Sequence, residues 1–177
     1  MFVLKTAGLA ARSPVFAVAE GRTLGGDRFG KHFDGGRLHT ELEWEKAARG
    51  TDTRPFPWGD EIAHGNANYY SSRDPFEDMN TFGSRTSPVG FYNGKTYDGY
   101  ATLDGASPYG VYDMAGNVWQ WTGDIYTGIH YRYLRGGSKA DYGYNLRVWT
   151  RNNVRPDYEG PSIGFRCARG GQSTASQ

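Results

Sequence analysis

Tyr109-Gly-Val-Tyr-Asp-Met-Ala-Gly-Asn-Val-Trp-Gln-Trp121 decides how this chain is read. Glycine and asparagine interrupt a run of aromatic and aliphatic residues. That pattern fits turns leading into a strand of a core, not a helix. Gly116 is expected where a Cβ would obstruct the backbone angle or a close approach, and Gly136-Gly137 further on likewise. Short runs of the same kind follow. Tyr131-Arg-Tyr-Leu-Arg135 and Asn145-Leu-Arg-Val-Trp-Thr-Arg151 alternate as strands do, which would put Trp149 in a strand with Leu146 and Val148. Ile163-Gly-Phe-Arg-Cys-Ala-Arg169 places Ile163, Phe165 and Cys167 on one face of a final strand.

Upstream lies the clearest helix. Thr40 precedes Glu43 by three residues, as in a capping box, and Gly50 offers a left-handed stop. Between them Leu42 and Trp44 to Ala48 set apolar groups on one side, with acids in the first turn and Arg49 in the last. From residue 51 to Pro108, Pro, Gly, Asn, Asp and Ser recur every few residues, so long ordered loops are expected. Val15-Phe-Ala-Val18 reads as one strand in an otherwise unpatterned segment 1–36. The small polar residues 170–177 read as a disordered tail.

The 177 residues suit one domain, with 37% apolar and 15% aromatic residues and 26 glycines. Lys and Arg (20) nearly balance Asp and Glu (19), which gives no basic field for nucleic acid and none for an anionic membrane. A single cysteine, Cys167, excludes an internal disulfide and a thiolate zinc cluster, and it reads as a small buried hydrophobe. No apolar run reaches membrane-spanning length, and Arg12 and Pro14 break what would be the core of a signal peptide. The four histidines show no chelating spacing, and no nucleophile elbow or phosphate loop is present. The compartment is not legible. A monomer is expected.

The order of motifs resembles the formylglycine-generating enzymes, the sulfatase-modifying-factor family. The helix signature Arg37–Gly50, Pro57-Trp-Gly-Asp-Glu61, the stretch 109–121, Arg135-Gly-Gly-Ser138, Arg147 with Arg151, and Ile163-Gly-Phe-Arg166 stand in that family's order. The resemblance covers residues 37–169 and implies an α+β, C-type-lectin-like fold: short antiparallel strands, few helices and much ordered loop. Residues 1–36 depart from the family's usual N-terminal half and read as a shortened or divergent segment. The arginines among the aromatics, Arg135, Arg147, Arg151 and Arg166, are expected to stack on rings and bond loop carbonyls.

The resemblance also implies what is missing. Members that oxidise a substrate cysteine carry two cysteines just after the Gly-Gly-Ser motif, and paired thiolates suit monovalent copper. Here Lys139-Ala-Asp-Tyr-Gly-Tyr-Asn-Leu-Arg147 contains none, so that activity is not expected. No cofactor is required. The family's structural calcium would fall near Asn117 and Gln120, where glutamine replaces the family's acid and weakens a hard-cation site. The Asn- and Asp-rich stretch 66–80 is a second calcium candidate, with Asx turns as the alternative.

Between the framework motifs lies a mixed stretch, 139–162. Lys139, Ala140, Asp141, Tyr142, Tyr144, Asn145, Trp149, Asn152, Asn153, Asp157, Tyr158 and Ser162 are the candidate ligand contacts. Rigid aromatics and small polar groups form adaptable binding faces. The placement resembles the variable proteins of diversity-generating retroelements, whose C-terminal face is altered at adenine-bearing codons. Such a face takes a protein or another macromolecule as its ligand. The alternative is a catalytically dead family member that binds a carbohydrate or a fixed protein partner.

Overall fold

A computed structural model describes residues 37–78 and 85–168. The readings of Val15–Val18, of the segment 1–36 and of the tail 170–177 lie outside those residues. The chain enters through strand β1 (Arg37–Leu38) and helix α1 (Glu41–Arg49). Thr40 Oγ1 accepts the Glu43 N–H at 3.2 Å, and Glu43 Oε2 accepts the Thr40 N–H at 2.8 Å. The capping box thus satisfies two donors that a helix start leaves orphaned. Gly50, at φ 78°, ends the helix by donating its N–H to the Lys46 carbonyl. Trp44 and Ala48 are buried, and Leu42 is 78% exposed. Two residues from Trp44 is about 200° around the helix, so Leu42 faces solvent and not the core.

From residue 51 to 108 the only described strands are the short hairpin β2 (Thr96–Tyr97) and β3 (Tyr100–Ala101). The rest of that region is loop held by turn bonds. The stretch 109–118 is turns, and Asn117 (φ 65°) and Gly116 (φ 77°) reverse the chain into strand β4 (Trp119–Tyr126). A Cβ on Gly116 would collide with the Asn68 carbonyl oxygen. Strands β5 (Tyr131–Arg135), β6 (Arg151–Val154) and β7 (Ile163–Phe165) complete a sheet ordered β6-β5-β4-β7. β4 pairs antiparallel with β5 but parallel with β7, so one pairing departs from the all-antiparallel expectation.

The final strand is broken at Arg166. β8 (Cys167–Ala168) leaves the main sheet and pairs with β1, Leu38 opposite Cys167. Ile163, Phe165 and Cys167 nevertheless pack into one cluster with Trp119, Trp121 and Leu134. On the other side of the sheet, Trp44, Ala48, Met114 and Val148 form a second cluster under α1. A third joins Phe56, Ala67, Tyr69, Ala115 and Leu146 beneath the long loops.

Buried polar groups tie these clusters together. Arg135 has no exposed surface. It reaches Glu41 (3.1 Å), Glu45 (2.7 Å) and the Val148 carbonyl (2.6 Å), with Trp44 beneath its guanidinium at 5.0 Å. Arg166 donates to the Tyr112 and Asp113 carbonyls. Arg147 lies over Trp149 and Arg151 over Tyr133. These contacts are the ring stacking and carbonyl bonding expected of the four arginines.

Candidate binding face

The turn after β5 begins the face. Gly137 has φ 71°, and a Cβ there would meet Leu146 Cδ1 at 2.8 Å and the Asn145 carbonyl at 3.0 Å. Only glycine admits that approach without strain. Ser138 and Asp141 then lock the loop. One oxygen of Asp141 accepts from the Ser138 N–H (3.0 Å), Ser138 Oγ (2.5 Å) and Trp119 Nε1 (2.8 Å). The other accepts from Asn145 Nδ2 at 3.0 Å. A charged acceptor serving four donors makes strong bonds and fixes the segment. Its backbone carbonyl takes the Tyr70 N–H at 2.9 Å. Asp141 is therefore the brace of the loop rather than an outward contact.

Lys139 turns inward as well. It is 7% exposed, and its Nζ donates to the Pro161 carbonyl beside Ser162 Oγ. It latches the far end of the segment 139–162 to its start. An aliphatic stem that burial accommodates and an ammonium satisfied by a carbonyl explain why it does not face solvent. Asn145, Asn153 and Ser162 are half-buried, whereas Ala140, Tyr142, Tyr144, Trp149, Asn152, Asp157 and Tyr158 are exposed.

The stretch Asn145–Arg151 is not the strand that its alternation predicts. Gly143–Leu146 is a 3-10 turn, and Trp149 sits in the turn that follows. The alternation survives without the strand: Leu146 and Val148 are fully buried, while Arg147 and Trp149 face out. Val148 is pinned where its N–H meets the Pro55 carbonyl and its own carbonyl meets Arg135. The backbone is thus tied to the frame, and the rings between stand free of it.

Three exposed rings gather on this face. Tyr142 and Tyr144 lie nearly parallel, 13° apart with centroids 6.1 Å apart. Tyr70 meets Tyr142 edge to face at 4.8 Å. Tyr70 was not legible as part of this face. It comes from a loop far upstream, and the bond to the Asp141 carbonyl holds it there. Its one sequence signal was the pair Tyr69-Tyr70 set among small polar residues.

The calcium candidates have other duties. Asn117 Oδ1 accepts the Ser87 N–H, and its Nδ2 donates to the Ser87 carbonyl. Gln120 Oε1 accepts Trp44 Nε1 at 2.8 Å, and its Nε2 donates to the Asp113 carbonyl at 2.7 Å. The two oxygens serve different N–H donors, and this pair offers a cation no carboxylate. In the stretch 66–78, Asn66, Asp74 and Glu77 accept backbone N–H groups of Ala63, Phe76, Ser71 and Arg73, the alternative reading of capped turns. Among the described residues, no three His, Cys, Asp or Glu side chains gather as a metal set.

Three comparisons bear on this arrangement. Residues 16–170 match the family described as the sulfatase-modifying factor enzyme 1-like domain. The chain is 35% identical over 145 residues to the inactive C-alpha-formylglycine-generating enzyme 2 of Bos taurus, covering 77% of this chain and 44% of that protein. It is 33% identical over 159 residues to the formylglycine-generating enzyme of Mus musculus, covering 76% and 39%. Among solved structures it resembles Treponema denticola variable protein 1, with a TM-score of 0.52 and 30% identity over 76% of this chain and 47% of that one. The chain spans less than half the length of each of these relatives.

Proposed function

Because the chain belongs to the sulfatase-modifying factor enzyme 1-like domain family, we propose that it is a non-catalytic binding protein whose face 139–162 is diversified by a retroelement and grips a protein ligand. The observation that carries this reading is the division of one short segment. Ser138, Asp141, Leu146 and Val148 are bound into the frame, while Tyr142, Tyr144, Trp149, Asn152, Asp157 and Tyr158 project from it. Exposed positions whose contacts are local or with one another tolerate replacement, and aromatic rings there supply contact area at low entropic cost. Where the family's oxidase members carry two cysteines, this segment has none. The likeness to a variable protein points the same way.

The test is sequencing of the gene's 3′ end, with its neighbouring DNA, across a population of source cells. Variation concentrated at the exposed codons of 139–162, matched by adenines in a nearby near-copy, is the expected result. A uniform sequence without a near-copy overturns diversification. It leaves the second reading, a fixed inactive family member, which the 35% identity to an inactive formylglycine-generating enzyme favours. Copper-dependent oxygen consumption with a cysteine-bearing peptide would overturn both.

A further inference from the structure

β6 is the outermost strand of its sheet, and among the described residues no strand lies on its far side. Its inner edge is fully registered on β5, from Arg151 opposite Arg135 to Val154 opposite Arg132. An open edge presents backbone donors and acceptors to whatever extended chain arrives. Natural edges are blunted by a lysine, a proline or a bulge, but Arg151-Asn-Asn-Val154 contains none of these inside the strand. Instead the Asn153 N–H is held by the side-chain oxygen of Asn152 at 2.8 Å. That cap is a local, exposed contact that an incoming carbonyl can replace.

The surroundings select the incoming chain. Residues 147–155 contain three guanidinium groups, Arg147, Arg151 and Arg155, all exposed, and no acid. The carboxylates facing them are few. Glu41 lies 3.2 Å from Arg151 but is shared with the buried Arg135. Asp157 pairs with Arg155 at 2.6 Å, both being more than half exposed, so that pair is weak and exchangeable. Exposed Trp149 precedes the strand and exposed Tyr158 follows it. In the chain these two exposed rings flank the strand at either end.

We propose that β6 receives an extended, acidic segment of a protein ligand as an added strand. Main-chain bonds to β6 would supply affinity, and the arginines and bracketing rings would supply selection. This inference rests on the binding-protein reading and names the chemistry of the partner.

The experiment is a titration of the whole chain, amide signals assigned, with the peptide acetyl-Glu-Val-Glu-Val-Glu-Val-amide. Three controls run beside it: its lysine counterpart, a version N-methylated at alternate residues, and a double variant Arg147→Glu/Arg155→Glu. The acidic peptide should shift and protect the amides of Arg151 and Asn153. The lysine and N-methylated peptides should not, and the double variant should bind about tenfold more weakly. If the acidic peptide leaves the β6 amides unmoved, or if N-methylation does not matter, strand addition is wrong. Population sequencing tests diversification and copper-dependent oxygen consumption tests the non-catalytic reading, both independently of strand addition, so the two can fail separately.

Discussion

Asp141 and Tyr142 are neighbours in sequence and opposites in duty. The carboxylate of Asp141 takes four donors from Ser138, Trp119 and Asn145, whereas the ring of Tyr142 is 55% exposed. Asp141→Ala leaves buried donors unpaired and should cost about 2–4 kcal/mol in urea unfolding. Tyr142→Ala should stay within about 0.5 kcal/mol, though it loses the edge contact with Tyr70. The reverse ranking would mean that the loop is held by its rings. In the sequence the two look alike, both being candidate contacts in a mixed stretch. What separates them is convergence: Ser138 and Asn145 from the same loop and Trp119 from β4 bring donors to one carboxylate, and the Trp119 bond is not announced by any local pattern. The inward turn of Lys139 is equally hidden in the sequence, since its carbonyl partner lies 22 residues away.

At the scale of elements, α1 was legible because its signals are local. The capping box, the terminal glycine and the dipole-matched charges sit within eleven residues of one another. What α1 packs against was not legible. Trp44 bonds Gln120, and Glu41 and Glu45 clamp Arg135 across the sheet. Arg135→Met should destabilise the fold by about 3–5 kcal/mol, because it takes the buried partner from Glu41, Glu45 and the Val148 carbonyl and leaves the two acids only their outer arginines, Arg151 and Arg49. A change below about 1 kcal/mol in chemical unfolding would refute the clamp. The strand predicted across Asn145–Arg151 failed for a related reason. Alternating burial arises equally from a 3-10 turn whose backbone is pinned at Val148, and periodicity alone does not separate the two.

The entry to α1 also sets a pH response. His39 is fully buried beside Thr40, and burial lowers its pKa from 6.5 to about 3. The unfolded chain therefore binds a proton that the folded chain refuses between those values. Stability is complete above about pH 6.5 and declines as pH falls toward 3, by a few kcal/mol in total. Glu43, held at about 2 by the Arg37 guanidinium, adds a smaller loss beginning below its ordinary value of 4.5. His39→Leu should flatten the profile between pH 6.5 and 4.5 when unfolding free energy is followed against pH. An unchanged slope would show that His39 is not the group responsible.

For the whole molecule, the pairing of β1 with β8 joins the two ends of the described chain, and the three buried clusters sit within that closure. The fold class was readable from the order of motifs, since each motif supplies a turn or a packed residue the frame needs. The outward surface was readable only in outline, because Tyr70 joins it through tertiary structure alone. The three buried clusters form without Tyr142, Tyr144, Trp149 or Tyr158, so the frame stands apart from its projecting rings. The direct measurement is urea unfolding of the variant Tyr142→Ala/Tyr144→Ala/Trp149→Ala/Tyr158→Ala beside the parent. A frame that carries a replaceable face predicts a difference within about 1–2 kcal/mol and an unchanged denaturant slope. A loss of about 5 kcal/mol or more, or failure to fold, would contradict it and make those rings part of the core.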